Sequence, residues 1–292
     1  MSSSTSQFDE LQSWIGRQEV NVDYVTIPLV IRLAATLDRD DPPPKNGDPL
    51  PAGWHWTLFP RVVPRSQIGR DGHPQLGDFL PPVPLPRRMF AGNRSTFHAD
   101  LQVGDEVKRT SEIAAITPKQ GRSGAMVFVT VRHTIETERG LAMVEEQDIV
   151  YREETPSGSG STPANAKQGA RTVPTTATWI QPQVVDEVTL FRFSALSFNG
   201  HRIHYDHPYV TQVEGYPGLV QNGGLTTVHV YEMIRAHTDR PLKYVSTRNM
   251  SPLFGGDRFL VCGEPENDGR SARLWVARED GTQILDGSCE FA

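Results

Sequence analysis

The sequence predicts an α+β protein in which one unit, a helix followed by an antiparallel sheet, occurs twice. Three observations carry this. Long segments of alternating character run from Met89 to Arg152, a second set runs from Leu242 to Phe291, and helix-period stretches precede each set.

The elements follow in chain order. In FDELQSWIGR, Phe8, Leu11, Trp14 and Ile15 fall at helical spacing, and PLVIRLAATL repeats the signal with Leu29, Val30, Leu33 and Leu37, so two short helices come first. Prolines then recur from Asp38 to Pro86. Each lacks a backbone donor and fixes φ, so this stretch is expected to wrap the protein in ordered but irregular form, with a short strand at HWTLF. Beyond it come four strands, MFAGNRSTFHADL, DEVKRTSEIAAIT, AMVFVTVRHTIE and LAMVEEQDIVYR; Val127, Val129 and Val131 share one face, as in a meander with one side buried.

Between Glu153 and Ala177 the residues Ser, Gly, Thr, Pro and Ala dominate and apolar periodicity is lost, which marks a flexible linker. The domain reading is therefore an N-terminal domain over 1–152, a linker over 153–177 and a C-terminal domain over 178–292. The second domain reads as a strand-like run VTLFRFSALS, a helix in LVQNGGLTTVHVYEMIRAH with one apolar and one wetter stripe, and strands at LKYVSTRNMS, RFLVCGE, SARLWVARE and QILDGSCEF.

Bulk properties exclude several function classes. With 292 residues the chain can bury a sizeable core without staples. A formal net charge of -6 argues against a general nucleic-acid binder, which needs a concentrated basic face. Cys262 and Cys289 are the only cysteines, so neither a disulfide framework nor a CxxC metal knuckle is present, and a reducing, cytoplasmic setting is the simplest reading. The N-terminal residues lack a basic region followed by an apolar run, and no apolar stretch approaches ~18 residues, so neither secretion nor membrane spanning is expected.

The stretch FNGHRIHYDHPYV, from Phe198 to Val210, concentrates three histidines and one aspartate within seven positions. Three readings compete. Spaced three apart, His201, His204 and His207 would form a metal-binding stripe on a helix, but Gly200 and Pro208 oppose a regular helix and the neighbouring sequence offers no closing ligand set, so no metal is expected. As a polar turn, Asn199 and Asp206 would cap the backbone while the histidines stayed solvated. As an acid–base site, the order F-N-x-H-x-I-H-x-D matters, together with GYPGLVQNGGL downstream.

That order resembles the hydratase signature of the MaoC-like hot-dog family, a Gly-Asp-x-Asn-Pro-aliphatic-His-x-Asp run followed by a His-Gly step at the start of the central helix. More closely, FSALSFNGHRIHYDHPYV, LPRRMF, PKQGRSGAMVFVTVRH and VEEQDIVYRE resemble the double hot-dog subgroup of 3-methylfumaryl-CoA (mesaconyl-CoA) and itaconyl-CoA hydratases. The likeness runs from about Trp14 to the C-terminus, excluding the linker. It implies a double hot-dog fold, two helix-in-curled-antiparallel-sheet units in one chain, with an acyl-CoA tunnel between the halves, no cofactor beyond the CoA of the substrate, and room for a homo-oligomer.

The resemblance also implies roles. Hydrating a C=C conjugated to a thioester needs a base for water, an acid for Cα and donors for the charge growing on the thioester oxygen. His204 aligns with the signature histidine and is the first candidate for acid–base work. Asn199 stands where the family carries a catalytic aspartate; an amide has no useful basicity, so it is expected to orient water or substrate, and the second proton-transfer group is left open. Asp206 is expected to orient or cap. Gly223 matches the glycine of the His-Gly step and is the expected N–H donor to the thioester oxygen, while Asn222 departs from the family's histidine. Arg87, Arg88, Arg122 and Arg202 are candidate cations for a substrate carboxylate or the CoA phosphates. The expected activity is hydration of itaconyl-CoA or 3-methylfumaryl-CoA to citramalyl-CoA. The alternatives are an (R)-3-hydroxyacyl-thioester dehydratase of fatty-acid type and a non-catalytic acyl-CoA-binding protein.

Overall fold

A computed structural model describes residues 10–121, 124–153 and 171–292. Its frame is one ten-stranded antiparallel sheet in the order β1-β3-β4-β5-β2-β7-β10-β9-β8-β6. The N-terminal half supplies β1 (Gln18–Tyr24), β2 (Arg87–Phe97), β3 (Glu106–Gly121), β4 (Gly124–Thr137) and β5 (Gly140–Arg152), with α1 (Ile27–Thr36) after β1. The C-terminal half supplies β6 (Trp179–Val184), α2 (Glu187–Leu196), α3 (His207–Gln212), α4 (Gly223–His237), β7 (Leu242–Asn249), β8 (Arg258–Glu266), β9 (Ser271–Arg278) and β10 (Gln283–Phe291).

The halves fuse where β2 pairs with β7, from Gly92 opposite Arg248 to Thr96 opposite Tyr244. Buried at this seam is a polar knot. The Glu145 carboxylate accepts from Asn93 Nδ2 at 2.8 Å, Ser95 Oγ at 3.1 Å and Gln147 Nε2 at 3.0 Å, and Thr247 donates across the seam to Asn93. A buried carboxylate satisfied by several donors fixes strand register, because a slip would leave each of them unpaired. Next to the two edge strands of the sheet, α1 packs against α2, the helices being capped by Thr26 and Asp186 through the N–H groups of Leu29 and Thr189.

α4 is the axis of the core. Every residue from Gly224 to Ile234 is buried, which corrects the expectation of one wet stripe: the helix is enclosed by β6, β8 and β9 and by the 3-10 turn Trp54–Thr57. That turn comes from the proline-rich stretch. Gly53 precedes it with φ 87°, and a β-carbon there would lie 2.4 Å from the Tyr231 ring, while Trp54 Nε1 donates to Glu232 at 2.8 Å. The two halves are thus unequal. Among the described residues no long helix of the N-terminal half matches α4, and the wrapping segment packs against α4 instead.

Several local expectations change. HWTLF is a 3-10 turn rather than a strand, too short between Pro51 and Pro60 for extended pairing. VTLFRFSALS is helical, burying Leu190, Phe193 and Ser194 at i, i+3 and i+4 under an Asp186 cap. The first helix expected in FDELQSWIGR is a single turn from Glu10, its earlier residues lying outside the described ones. Strands β1 and β6 escaped notice because both are short sheet edges whose apolar residues, among them Val20, Val22 and Val184, face outward. The meander is as expected, with Val127, Val129 and Val131 buried beneath Phe79 and Val83 of the wrapping segment. Of the linker, 171–177 is described and joins the C-terminal half: Thr172 bridges Thr282, and Trp275 Nε1 donates to the Pro174 carbonyl at 2.8 Å.

Gly53→Ala combines a left-handed backbone with a clash against a buried ring, so we expect a loss of ~1–3 kcal/mol in urea denaturation with an unchanged slope. A loss below ~0.5 kcal/mol would show that the wrapping segment does not depend on this close approach.

Candidate active site

The histidine stretch is a helix end, a turn and a helix start in succession. α2 closes with Phe198 in the left-handed region, at φ 51°, and Asn199 N–H donates to the Ser194 carbonyl at 2.8 Å. The Asn199 side-chain oxygen then accepts from His201 N–H at 3.0 Å, an Asx turn that directs the chain into a 3-10 turn over Arg202–His204. Asp206 caps α3 by accepting from Tyr209 N–H at 3.0 Å, and Pro208 fits the first turn of that helix. No continuous helix carries the three histidines; His207 is exposed.

His204 is buried. Its Nδ1 lies 2.7 Å from the Val220 carbonyl, which can only accept, so the ring proton sits on Nδ1 and Nε2 keeps a lone pair. Burial lowers its pKa to about 4, leaving a neutral imidazole near pH 7. Val220 also ties this ring to the start of α4: Gly223 follows three residues later, with Asn222 as N-cap accepting from Gly224 N–H at 2.8 Å. The first N–H groups of the helix have no acceptor within it, and at Gly223 a β-carbon would meet Asn249 and Phe90 at 3.0 and 3.1 Å.

The wrapping segment supplies the rest of the site. Its loop 69–75 lies on the histidine stretch, where Arg202 N–H donates to the Asp71 carbonyl at 2.8 Å. Gly72, at φ 91°, comes so close that a β-carbon would stand 1.9 Å from the Gly200 carbonyl oxygen. On either side of this glycine, Asp71 accepts from His73 N–H at 3.0 Å and holds His73 Nδ1 at 2.8 Å. The His73 ring lies against His201 with centroids 4.0 Å apart, and His201 meets His204 edge-on at 5.3 Å. A cavity of about 390 Å³ opens here, lined by Asp71, His73, His201, Arg87, Arg88 and Tyr151 among others.

Burial depresses the pKa of His73 and of His201, with Asp71 opposing the shift at both and the Arg88 charge adding to it. Burial pulls Asp71 upward, but the side-chain and backbone hydrogen bonds from His73 outweigh it and hold the carboxyl well below the usual range.

The arginines separate by partner. Arg202, expected to meet substrate, instead pairs with Asp206 at 2.7 Å and covers the Tyr209 ring, outside the cavity lining. Arg87 donates to the Glu214 carbonyl at 3.1 Å, with the Glu214 carboxylate 3.8 Å away. Arg88 faces the cavity opposite Tyr151 and forms no ion pair with a carboxylate among the described residues. Arg122 lies outside the described residues.

Sequence reasoning missed Asp71, His73 and Tyr151. It found no closing ligand set near the histidines, whereas the fold brings Asp71 and His73 to His201 within 4.8 Å, an arrangement able to approach a cation. The donor set fits a metal poorly: Asp71 is already bonded to His73, the two rings pack against each other at 4.0 Å, and Arg88 places positive charge beside them.

The hydroxyacyl-thioester dehydratase type 2 family matches residues 53–255, a span covering the wrapping loop, the histidine stretch and α4. The chain belongs to this family. It is 44% identical over 279 residues to the mesaconyl-C(4)-CoA hydratase of Chloroflexus aurantiacus, covering 96% of this chain and 97% of the relative. Its fold matches a solved MaoC-like dehydratase at TM-score 0.68 and 13% identity, over 97% of this chain and all of the other. It also matches a double hot-dog protein of Mycobacterium tuberculosis at TM-score 0.53 and 14% identity, over 94% and 96%. The chain is a hydro-lyase with the double hot-dog fold. No helix among its described residues is long and apolar enough to cross a membrane.

The buried histidines also set a pH limit on the fold. Burial lowers His133, His204 and His229 each to about 4, against ~6.5 in an unfolded chain. Between these values the unfolded state binds more protons, so stability should fall as pH drops from ~6.5 toward 4 and lose nothing more from these groups below that. Denaturant midpoints measured from pH 7.5 to 4 check this; a flat midpoint between 6.5 and 4.5 would contradict it.

Proposed function

We propose that this hydro-lyase adds water across the C=C of a short branched dicarboxylyl-CoA thioester, 3-methylfumaryl-CoA (mesaconyl-CoA) or itaconyl-CoA, to give citramalyl-CoA, and that the reaction is reversible. The observation that carries the reading is Arg88, a cation without a carboxylate partner among the described residues, which lies beside its strand partner Tyr151 in the lining of the cavity that His201 and His73 share. A substrate carboxylate is the ligand such an arginine suits, through charge-assisted hydrogen bonds. The activity named for the Chloroflexus relative supports the same reading.

His204 accepts a hydrogen bond from the attacking water at Nε2, since its Nδ1 is committed to Val220. Asn199 acts by shaping the turn that presents His201 and His204, and the Gly223 N–H takes the thioester oxygen as negative charge develops there. CoA enters as part of the substrate, with no further cofactor.

The second reading, dehydration of straight-chain (R)-3-hydroxyacyl thioesters, draws on the family description. The two differ at the far end of the acyl group, where an alkyl chain would leave the Arg88 charge without a partner at a cost of several kcal/mol. The deciding assay follows loss of the unsaturated thioester across a panel of CoA esters, with the products identified by mass and chirality. Branched C5 dicarboxylyl esters should outrun crotonyl-CoA by at least ~10²-fold, and Arg88→Gln should remove most of that preference. Equal rates on both classes would favour the second reading. His204→Ala should reduce turnover by ~10³-fold or more while circular dichroism is unchanged; near-normal rates would remove His204 from the mechanism.

A further inference from the structure

Asn199 leaves the histidine stretch without the carboxylate that its signature normally carries, and His204, deeply buried, is a poor place for a proton to rest although the Val220 carbonyl on Nδ1 partly offsets that burial. A hydration nevertheless has to store one between its removal from water and its arrival at Cα. Among the histidines of the cavity and its wall, His73 is the one whose ring nitrogen is bonded to a carboxylate, and neither His73 nor Asp71 belongs to the histidine stretch.

We propose that Asp71 and His73, carried in by the wrapping loop, form the proton-transfer unit of the site beside the water-binding His204, with His73 as a catalytic residue and Asp71 as the positioning residue behind it. This assignment rests on the hydratase reading above and deepens it.

Asp71 can only accept, so the shared proton sits on His73 Nδ1 and Nε2 is the basic atom. As water adds, one O–H bond breaks and its proton goes to His73 Nε2, while the oxygen forms the bond to Cβ. The electrons of the C=C move into the thioester as an enolate, with charge on the oxygen. The other hydrogen of the water points to His204 Nε2 and becomes the hydroxyl hydrogen of the product. The imidazolium of His73, paired with Asp71, then returns its proton to Cα as the enolate electrons form the C–H bond. Atoms and charge balance within the cavity, and both histidines end neutral.

The groups facing His73 suit a charge that exists only briefly. Burial and the Arg88 charge oppose it, whereas the hydrogen bond and charge of Asp71 stabilise it, so the imidazole is neutral at rest and ready to accept. The backbone keeps the pair in place, through Arg202 N–H on the Asp71 carbonyl and Gly72 against Gly200. A loop held this tightly suits catalytic geometry, which tolerates little displacement.

The test uses the full-length enzyme and the best ester of the panel. His73→Ala should lower kcat by ~10²–10⁴-fold with KM within about threefold, and added imidazole should restore part of the rate in a saturable manner. Asp71→Asn should lower kcat by ~10²-fold or more and shift or erase the acidic limb of the kcat/KM pH profile, a change that simple loop loosening would not produce. Thermal midpoints and substrate KM report whether either variant has lost its fold; if His73→Ala is unstable, His73→Gln takes its place. Chelator treatment of the wild type should leave the rate unchanged. The proposal is overturned if wild-type enzyme turns over while the His73 variant keeps its rate within threefold, if imidazole rescues nothing in a folded variant, or if chelation abolishes activity and a divalent metal restores it. Should wild type hydrate no ester, it is the functional reading that fails instead.

Discussion

The site depends on one backbone hydrogen bond, from Arg202 N–H to the Asp71 carbonyl, and on the absence of a side chain at Gly72 beside it. The histidine stretch belongs to the C-terminal half and the Asp71–His73 pair to the segment before β2, so nothing local unites them. Close backbone approach does, and it is possible only because two glycines, Gly72 and Gly200, meet there. From this clasp follow the contact of His73 with His201 and the wall of the cavity that the two form with Asp71.

The inequality of the two halves has a physical origin in the same segment. A helix-in-sheet unit needs something to enclose its helix on the side away from its own strands. Here α4 receives that cover from Trp54–Thr57 and the residues around Gly53, with Trp54 bonded to Glu232, and the N-terminal half gives up a matching helix to supply it. Freed from regular structure by its prolines, the same stretch continues across the histidine turn at Asp71–His73 and then over the β4 valines at Phe79 and Val83. Irregular backbone on a rigid sheet is a common place for functional residues, since it can bend to meet a site while the scaffold fixes its ends.

Much of this was legible in the residues. Period-two valines in β4 and the Asn222-Gly223-Gly224 step announced the meander and the start of α4, because burial on one face and an N-cap each leave local marks. VTLFRFSALS misled through its aromatic and β-branched content, although Asp186 and Thr189 held a capping signal and Leu190 and Phe193 a helical spacing. Edge strands β1 and β6 turn apolar residues outward, the reverse of the pattern by which strands are found. The histidine stretch, with its likeness to hydratases, located half of the site. Its other half did not show, since a pairing between Asp71-Gly72-His73 and a distant turn depends on long-range packing; the one local clue was an aspartate and a histidine flanking a glycine in a stretch otherwise read as wrapping.

The central claim is that the wrapping loop completes the site by holding His73 in a single tautomer through Asp71, and histidine ¹⁵N NMR tests it most directly. In the wild type near pH 7, His73 should be neutral with its proton on Nδ1, and Asp71→Asn should shift it toward the other tautomer or a mixture while His204 keeps its Nδ1 proton. A His73 that titrates near ~6.5 with averaged tautomers, unaffected by the Asp71 substitution, would contradict the account.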